Sequence, residues 1–182
     1  MGSGTTLVEA KLLNRNAVGV DINPHAVSLS KVNLNFICRT NPKIILKNGS
    51  ATRLSFIKDN SIDFICTHPP YANIIAYSKE IEGDISLLGI DDFLTKIQLV
   101  AQESFRVMKA GGMCAVMMGD MRKYGKVVPL GFHVMECFLK AGFVNEEIII
   151  NEQHNCRSAN FWENKDNKFL LLAHEYIFVF QK

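Results

Sequence analysis

The opening of the chain constrains its fold more than any other stretch. Gly2-Ser3-Gly4-Thr5-Thr6 leads into a helical run over residues 5–14, followed by a short apolar strand, Val18-Gly19-Val20, closed by Asp21. The two glycines let the backbone come close to a ligand. Thr5 and Thr6 are suited to cap the helix that follows. A carboxylate at the end of the next strand, Asp21, is well placed to accept from both hydroxyls of a ribose. A nicotinamide fingerprint needs a third glycine at position 7, where Leu7 stands. A P-loop needs Gly-Lys-Ser/Thr, which does not follow. A nucleoside cofactor without a pyrophosphate therefore fits this loop better than NAD or ATP.

The rest of the chain continues the alternation. Asn23-Pro24 starts a helix, with Pro24 in its first turn, running to about Cys38. A β-rich run covers 43–47, and Asn48-Gly49-Ser50-Ala51 is a turn. Residues 62–67 form a strand, and a long loop over 71–90 holds Tyr77, Gly83 and Gly89. Loops of that length are uncommon in compact domains and are often functional. From Asp91 a helical stripe of Phe93, Leu94, Ile97, Val100, Ala101, Phe105 and Met108 runs until Gly111-Gly112 stops it. A buried strand at 113–118, a loop at 119–128, a helix at 129–141 and strands at 144–150 and 169–180 complete the chain. Strands alternating with helices and ending in a strand pair imply an α/β, three-layer α/β/α sandwich. With no internal repeat or linker, residues 1–182 read as one domain.

The second informative stretch is Thr67-His68-Pro69-Pro70-Tyr71, directly after the strand at 62–67. Two prolines cannot continue a ladder, and they hold the backbone extended. The tyrosine behind them is a flat platform at a strand end, suited to stacking a planar ring such as a base taken out of its helix. His68 can accept a hydrogen bond only as a neutral ring, with one nitrogen unprotonated.

Taken together, the two motifs resemble the amino-methyltransferases of DNA, the adenine-N6 and cytosine-N4 family. That family carries a Gly-x-Gly cofactor loop, an acidic residue ending the second strand, and an Asp/Asn/Ser-Pro-Pro-aromatic tetrapeptide ending the fourth. The resemblance runs over nearly the whole chain, with the cofactor loop first and the tetrapeptide second. It implies a Rossmann-like methyltransferase sheet, mostly parallel with an antiparallel last strand. It also implies S-adenosylmethionine as cofactor and methyl transfer to an exocyclic amino nitrogen of DNA. In that scheme Gly2, Ser3, Gly4, Thr5, Asp21, Ile22, Ser50 and Ala51 hold the cofactor, with Ile22 on the adenine face and Ser50 where relatives often have an Asp. His68, Pro69, Pro70 and Tyr71 form the catalytic tetrapeptide; its first position is His68, a departure from the family's Asp, Asn or Ser.

Relatives read Asp-Pro-Phe-x-Gly-Ser-Gly at the cofactor loop, and Met1 falls on the x. The resemblance thus implies that the first strand is missing from this chain, a catalytic domain shortened at its N-terminus. It leaves unpaired strand edges, to be completed by an upstream segment or a second copy. RNA is the rival substrate, since guanine-N2 methyltransferases of transfer RNA carry a similar tetrapeptide. A non-catalytic remnant or partner subunit is the reading from another class. A cytosine-C5 mechanism needs a cysteine nucleophile presented as Pro-Cys, and no Pro-Cys occurs.

The net charge of +2 neither demands nor excludes nucleic acid. Arg122, Lys123, Lys126, Arg157, Lys165 and Lys168 form a candidate basic rim for phosphates, or ordinary solvated loop charge. Cys38, Cys66, Cys114, Cys137 and Cys156 are scattered, and read as buried free thiols of a cytoplasmic protein. No metal site is expected, because His154 and Cys156 stand too isolated to suggest zinc. No run of apolar residues is long enough to cross a membrane.

Overall fold

The computed structural model describes residues 1–73, 76, 78, 81–153 and 170–182. Contacts gather the chain into two compact units, one of Met1–Ile57 with Ala72–Glu103, the other of Lys58–Tyr71 with Ser104–Lys182. Four α-helices and eight strands are present among the described residues.

In the first unit, α1 (Thr5–Leu12), β1 (Ala17–Asp21), α2 (Pro24–Asn33) and β2 (Ile44–Asn48) follow one another. β1 and β2 pair in parallel, with Asp21 opposite Asn48. α2 begins as its sequence dictates: Asn23 Oδ1 accepts from the His25 amide at 2.9 Å, and Pro24 takes the first turn. It ends at Asn33, short of the expected Cys38. Beyond that point Lys11 Nζ captures the carbonyls of Leu34 at 2.9 Å and Phe36 at 2.8 Å. The ammonium also lies 4.3 Å over the Phe36 ring. Those contacts hold the chain off a helical path.

The long loop resolves into local structure around Asp84. Its carboxylate accepts from the Ser86 amide at 2.9 Å and from Ser78 Oγ at 2.5 Å, capping a 3₁₀ turn at Ile85–Leu87. Tyr77 lies outside the described residues. The helix α3 (Ile90–Val107) buries Phe93, Ile97, Val100 and Ala101 at helical spacing, and Asp91 and Asp92 sit in its first turn, where the helix dipole favours negative charge.

The second unit is built on a four-stranded sheet of β3 (Ile62–Thr67), β4 (Met108–Met118), β8 (His174–Gln181) and β7 (Val144–Glu152), in that spatial order. β3 and β4 run parallel, while β8 lies antiparallel to both β4 and β7. β4 alternates in burial, with Cys114, Val116 and Met118 inward. Helix α4 (Leu130–Ala141) buries Leu130, Val134 and Phe138. Phe138 stacks on Phe180 with ring centroids 5.1 Å apart.

Three expectations are corrected. Gly111-Gly112 does not stop α3; that helix ends at Val107 and the glycines lie inside β4. Lys182 ends the helix instead, donating from Nζ to the carbonyls of Phe105 at 2.6 Å and Met108 at 2.9 Å. Residues 119–128 are not an open loop but a hairpin of β5 (Met121–Lys123) and β6 (Lys126–Val128). Its turn residues, Tyr124 at φ 51° and Gly125 at φ 77°, have the left-handed backbone that two-residue hairpins favour. The last strand starts at His174 rather than 169.

β1 pairs only with β2, and β3 only with β4, among the described residues. Each therefore has one edge without a ladder partner among the described residues. Cys114 and Cys137 are buried and Cys38 half-buried; burial pushes the Cys114 thiol up to about 12. Cys66, expected to be buried, is exposed on the edge strand β3, and Cys156 lies outside the described residues. No helix is long and apolar enough to cross a membrane, among the described residues.

Candidate functional site

Two groups of residues carry the expected chemistry, one in each unit. In the first, the glycine loop folds back on itself, with the Gly4 amide donating to the Met1 carbonyl at 3.1 Å. Gly4 has φ 84°, and a Cβ there would stand 2.7 Å from Ser30 Oγ, so only glycine fits. This glycine is also the N-cap of α1 and no side chain caps the helix, which corrects the expectation for Thr5 and Thr6. Thr5 lies inside the helix, its hydroxyl 3.2 Å from that of Ser3. Two α2 residues that the sequence did not single out tie the loop down. Buried Ser30 donates to the Gly2 carbonyl at 3.1 Å, and Asn33 donates to the Ser3 carbonyl at 2.9 Å.

Asp21 closes β1 beside this loop. Its Oδ2 accepts from the Met1 ammonium at 3.0 Å and from the Gly2 amide at 3.1 Å, while Oδ1 accepts from the Asn23 amide at 2.9 Å. Burial alone would push this carboxyl up. The Asn23 amide, the Met1 ammonium and the Gly2 amide outweigh it and hold the pKa below the ordinary carboxylate value. Oδ1 keeps an acceptor position for a ligand hydroxyl; Oδ2 is engaged twice by the loop. Asn48 donates to the carbonyls of Asp21 and Ile22, both at 3.0 Å, and locks the ends of β1 and β2 together. Just past it, Ser50 is half-buried and its hydroxyl pairs with that of Thr52 at 2.8 Å, while Ala51 is exposed. Ile22 is half-buried, and a Cβ on Gly83 would stand 3.2 Å from its Cδ1.

In the second unit β3 ends at Thr67 and releases His68, Pro69, Pro70 and Tyr71. Pro69 is buried, while 47% of the His68 side chain is exposed. Tyr71 is held by its hydroxyl: it donates to Glu175 Oε1 at 2.6 Å and accepts from the Gly119 amide at 2.7 Å. His68 Nε2 lies 3.4 Å from the same Glu175 oxygen, and the two rings meet edge-on with centroids 6.0 Å apart. Glu175 and Gly119 were invisible in the sequence, because they come from β8 and the end of β4. Only the glycine directly after a buried strand hinted at a close approach.

Asp120 has a structural role, since its Oδ1 accepts from the Gly131 amide at 3.0 Å, in the first turn of α4. Of the basic rim, Arg122 donates to the carbonyls of Gly125 and Leu170, both at 2.9 Å, while Lys123 and Lys126 are exposed on the hairpin. His154, Arg157, Lys165 and Lys168 lie outside the described residues. Among the described residues no cluster of ligating side chains could hold a metal ion.

The model of the N6/N4 DNA methylase family matches residues 1–32 and 62–182. The chain belongs to this family. A DNA modification methylase of Thermus thermophilus, solved with S-adenosyl-L-methionine, is 25% identical to it, with TM-score 0.55 over 74% of this chain and 53% of that one. The cytosine-N4-specific PvuII DNA methyltransferase is alike in fold, with TM-score 0.59 at 19% identity over 73% of this chain and 47% of its own. The fold is thus the Rossmann-like α/β fold of the methyltransferases. Among curated proteins, the release factor glutamine methyltransferase of Clostridium acetobutylicum is 26% identical over 106 residues, 55% of this chain and 37% of its own length. The methylase family member described here therefore spans about half the length of these structures, and less of that relative.

Proposed function

We propose that the chain transfers a methyl group from S-adenosylmethionine to an exocyclic amino nitrogen, adenine N6 or cytosine N4, of DNA. Family membership supports the reaction class, and one observation carries the assignment of the site. The Tyr71 hydroxyl is tied to Glu175 and to the Gly119 amide, so its ring is held as a platform directly after Pro69-Pro70. A fixed ring loses little entropy when a base stacks on it.

The first unit fits a nucleoside cofactor. Gly2 is open, with nothing within 4 Å of a Cβ built there, and Asp21 Oδ1, which accepts from the Asn23 amide, keeps a further lone pair for a ribose hydroxyl. Ser3, Gly4 and Thr5 shape the loop, and Ile22, Ser50 and Ala51 flank the same strand ends. When bound, the cofactor supplies a methyl group on sulfonium, already a good leaving group. Alignment is then the protein's main contribution. The amino nitrogen of a base is a poor nucleophile because its lone pair is spread into the ring. Neutral His68 and a backbone carbonyl of the Pro-Pro unit accept its two hydrogens, which favours a nitrogen with a localised lone pair. Tyr71 stacks on the base. A cytoplasmic location fits a DNA substrate.

The test is calorimetric titration of the full chain with S-adenosylmethionine, followed by transfer of labelled methyl to duplex DNA. Asp21→Asn keeps an acceptor for the Asn23 amide and removes the charge. It is expected to weaken cofactor binding by about 1–2 kcal/mol, roughly tenfold. Digestion of the DNA then locates the methyl on adenine or cytosine. Cofactor binding with no transfer to DNA, but transfer to transfer RNA or to a glutamine side-chain amide, would overturn the DNA assignment. Activity that appears only in His68→Asp would identify a decayed site.

A further inference from the structure

We infer that Glu175 is a positioning residue: it selects the tautomer of His68 and at the same time anchors Tyr71. The inference rests on the reading of His68 as an acceptor and deepens it. One carboxylate oxygen, Oε1, receives the Tyr71 hydroxyl at 2.6 Å and faces His68 Nε2 at 3.4 Å. A carboxylate can only accept. At 3.4 Å the carboxylate oxygen favours a proton on the ring nitrogen that faces it, which biases a neutral His68 toward the Nε2–H tautomer. Nδ1 is then the ring's unprotonated nitrogen, the one able to accept from a substrate amino group.

Two further facts fit this role. The Glu175 side chain is 13% exposed while that of His68 is 47% exposed. The support is thus shielded and the supported ring is open to a ligand. Glu175 also sits on β8, a regular strand paired along β7 with Asn151 opposite, so its place does not depend on a loop. Tyr71 donates its single proton to Glu175 and accepts from Gly119, so the hydroxyl is spent within the protein. Its contribution to a substrate is the ring face. The carboxylate thus accepts the Tyr71 proton and faces the His68 ring nitrogen at 3.4 Å, in electrostatic range of it. Asp, Asn or Ser at the first tetrapeptide position offers a side-chain oxygen acceptor without a tautomer to choose. A histidine there needs an outside group to choose for it, and Glu175 is that group.

The experiment is nitrogen-15 NMR of the full chain at about pH 8, above the ordinary histidine pKa. His68→Ala identifies the signals. The expected wild-type spectrum shows Nε2 protonated and Nδ1 bare. Nδ1–H as the main form in wild type would overturn the proposal, without needing any variant to fold. Glu175→Gln keeps an accepting oxygen and is expected to retain the tautomer. Glu175→Ala is expected to give a mixture of tautomers. In methyl transfer, Glu175→Ala is expected to lower kcat roughly tenfold to a hundredfold, the scale of a misplaced reacting group. The affinity for S-adenosylmethionine should stay within about twofold, since that cofactor is assigned elsewhere. An unchanged tautomer and kcat in Glu175→Ala would overturn the proposal. If wild type binds the cofactor and transfers nothing, the functional reading fails, while the NMR result still decides the role of Glu175.

Discussion

Gly119 acts through the side chain it lacks. A Cβ built there would stand 2.7 Å from the Tyr71 hydroxyl oxygen and 3.2 Å from Glu175 Cγ. Its φ is not positive, so the backbone itself accepts alanine. Gly119→Ala is therefore a clean way to push on the Tyr71 anchor. The expected cost is about 1–3 kcal/mol of stability, the usual size of an overpacking change, read by thermal unfolding. Methyl transfer should fall roughly tenfold or more while cofactor affinity holds. Normal transfer by this variant would mean that the Tyr71 anchor is not needed. This residue marks where legibility ended. The loop glycines, Asp21 and the His68–Tyr71 run could be read because each motif is contiguous. Glu175 is brought to Tyr71 by the pairing of β8 with β4, across a separation of 104 residues. No local pattern encodes such a meeting.

Among the elements, the β5–β6 hairpin has the clearest unspent surface. Tyr124 at its tip is 93% exposed, and Lys123 Nζ lies 5.7 Å from its ring centroid. Lys126 is exposed on the opposite strand, and Arg122 is occupied with the backbone of the hairpin and Leu170. An exposed basic tip with an aromatic suits contact with nucleic-acid phosphates. Lys123→Ala and Lys126→Ala should each weaken DNA binding by a similar factor on any sequence. Each should also lower the slope of log affinity against log salt by about one. Filter binding at several salt concentrations checks this, and unchanged slopes would assign the lysines to solvent. The hairpin also shows why some elements escaped a sequence reading. Strands of three residues carry no period, and a Tyr-Gly turn lacks the usual Asn-Gly or Asp-Gly signal. Long patterned elements such as α3 and α4 were legible. Their ends were not, where a distant side chain such as Lys11 or Lys182 decides the last turn.

For the molecule as a whole, the alternation of strands and helices announced the α/β class, and the resemblance announced the order of its motifs. The open strand edge of β3 has a consequence in solution. β3 has one edge without a ladder partner among the described residues, and Phe64 on it is 58% exposed. An uncovered edge bearing an apolar side chain is a template for another strand. Covering a fully exposed phenylalanine is worth about 1.5–3 kcal/mol, proportionately less for Phe64, and the backbone bonds of the added strand contribute further. The chain is therefore expected to associate as its concentration rises, seen as growing mass in light scattering. Phe64→Lys puts a charge on the edge and should shift it toward the monomer without loss of helix content. A wild-type chain that stays monomeric throughout would mean that the β3 edge is covered in solution. If instead association persists in Phe64→Lys, the contact lies elsewhere, and the exposed Ile148, Ile149 and Ile150 of β7 become the place to look.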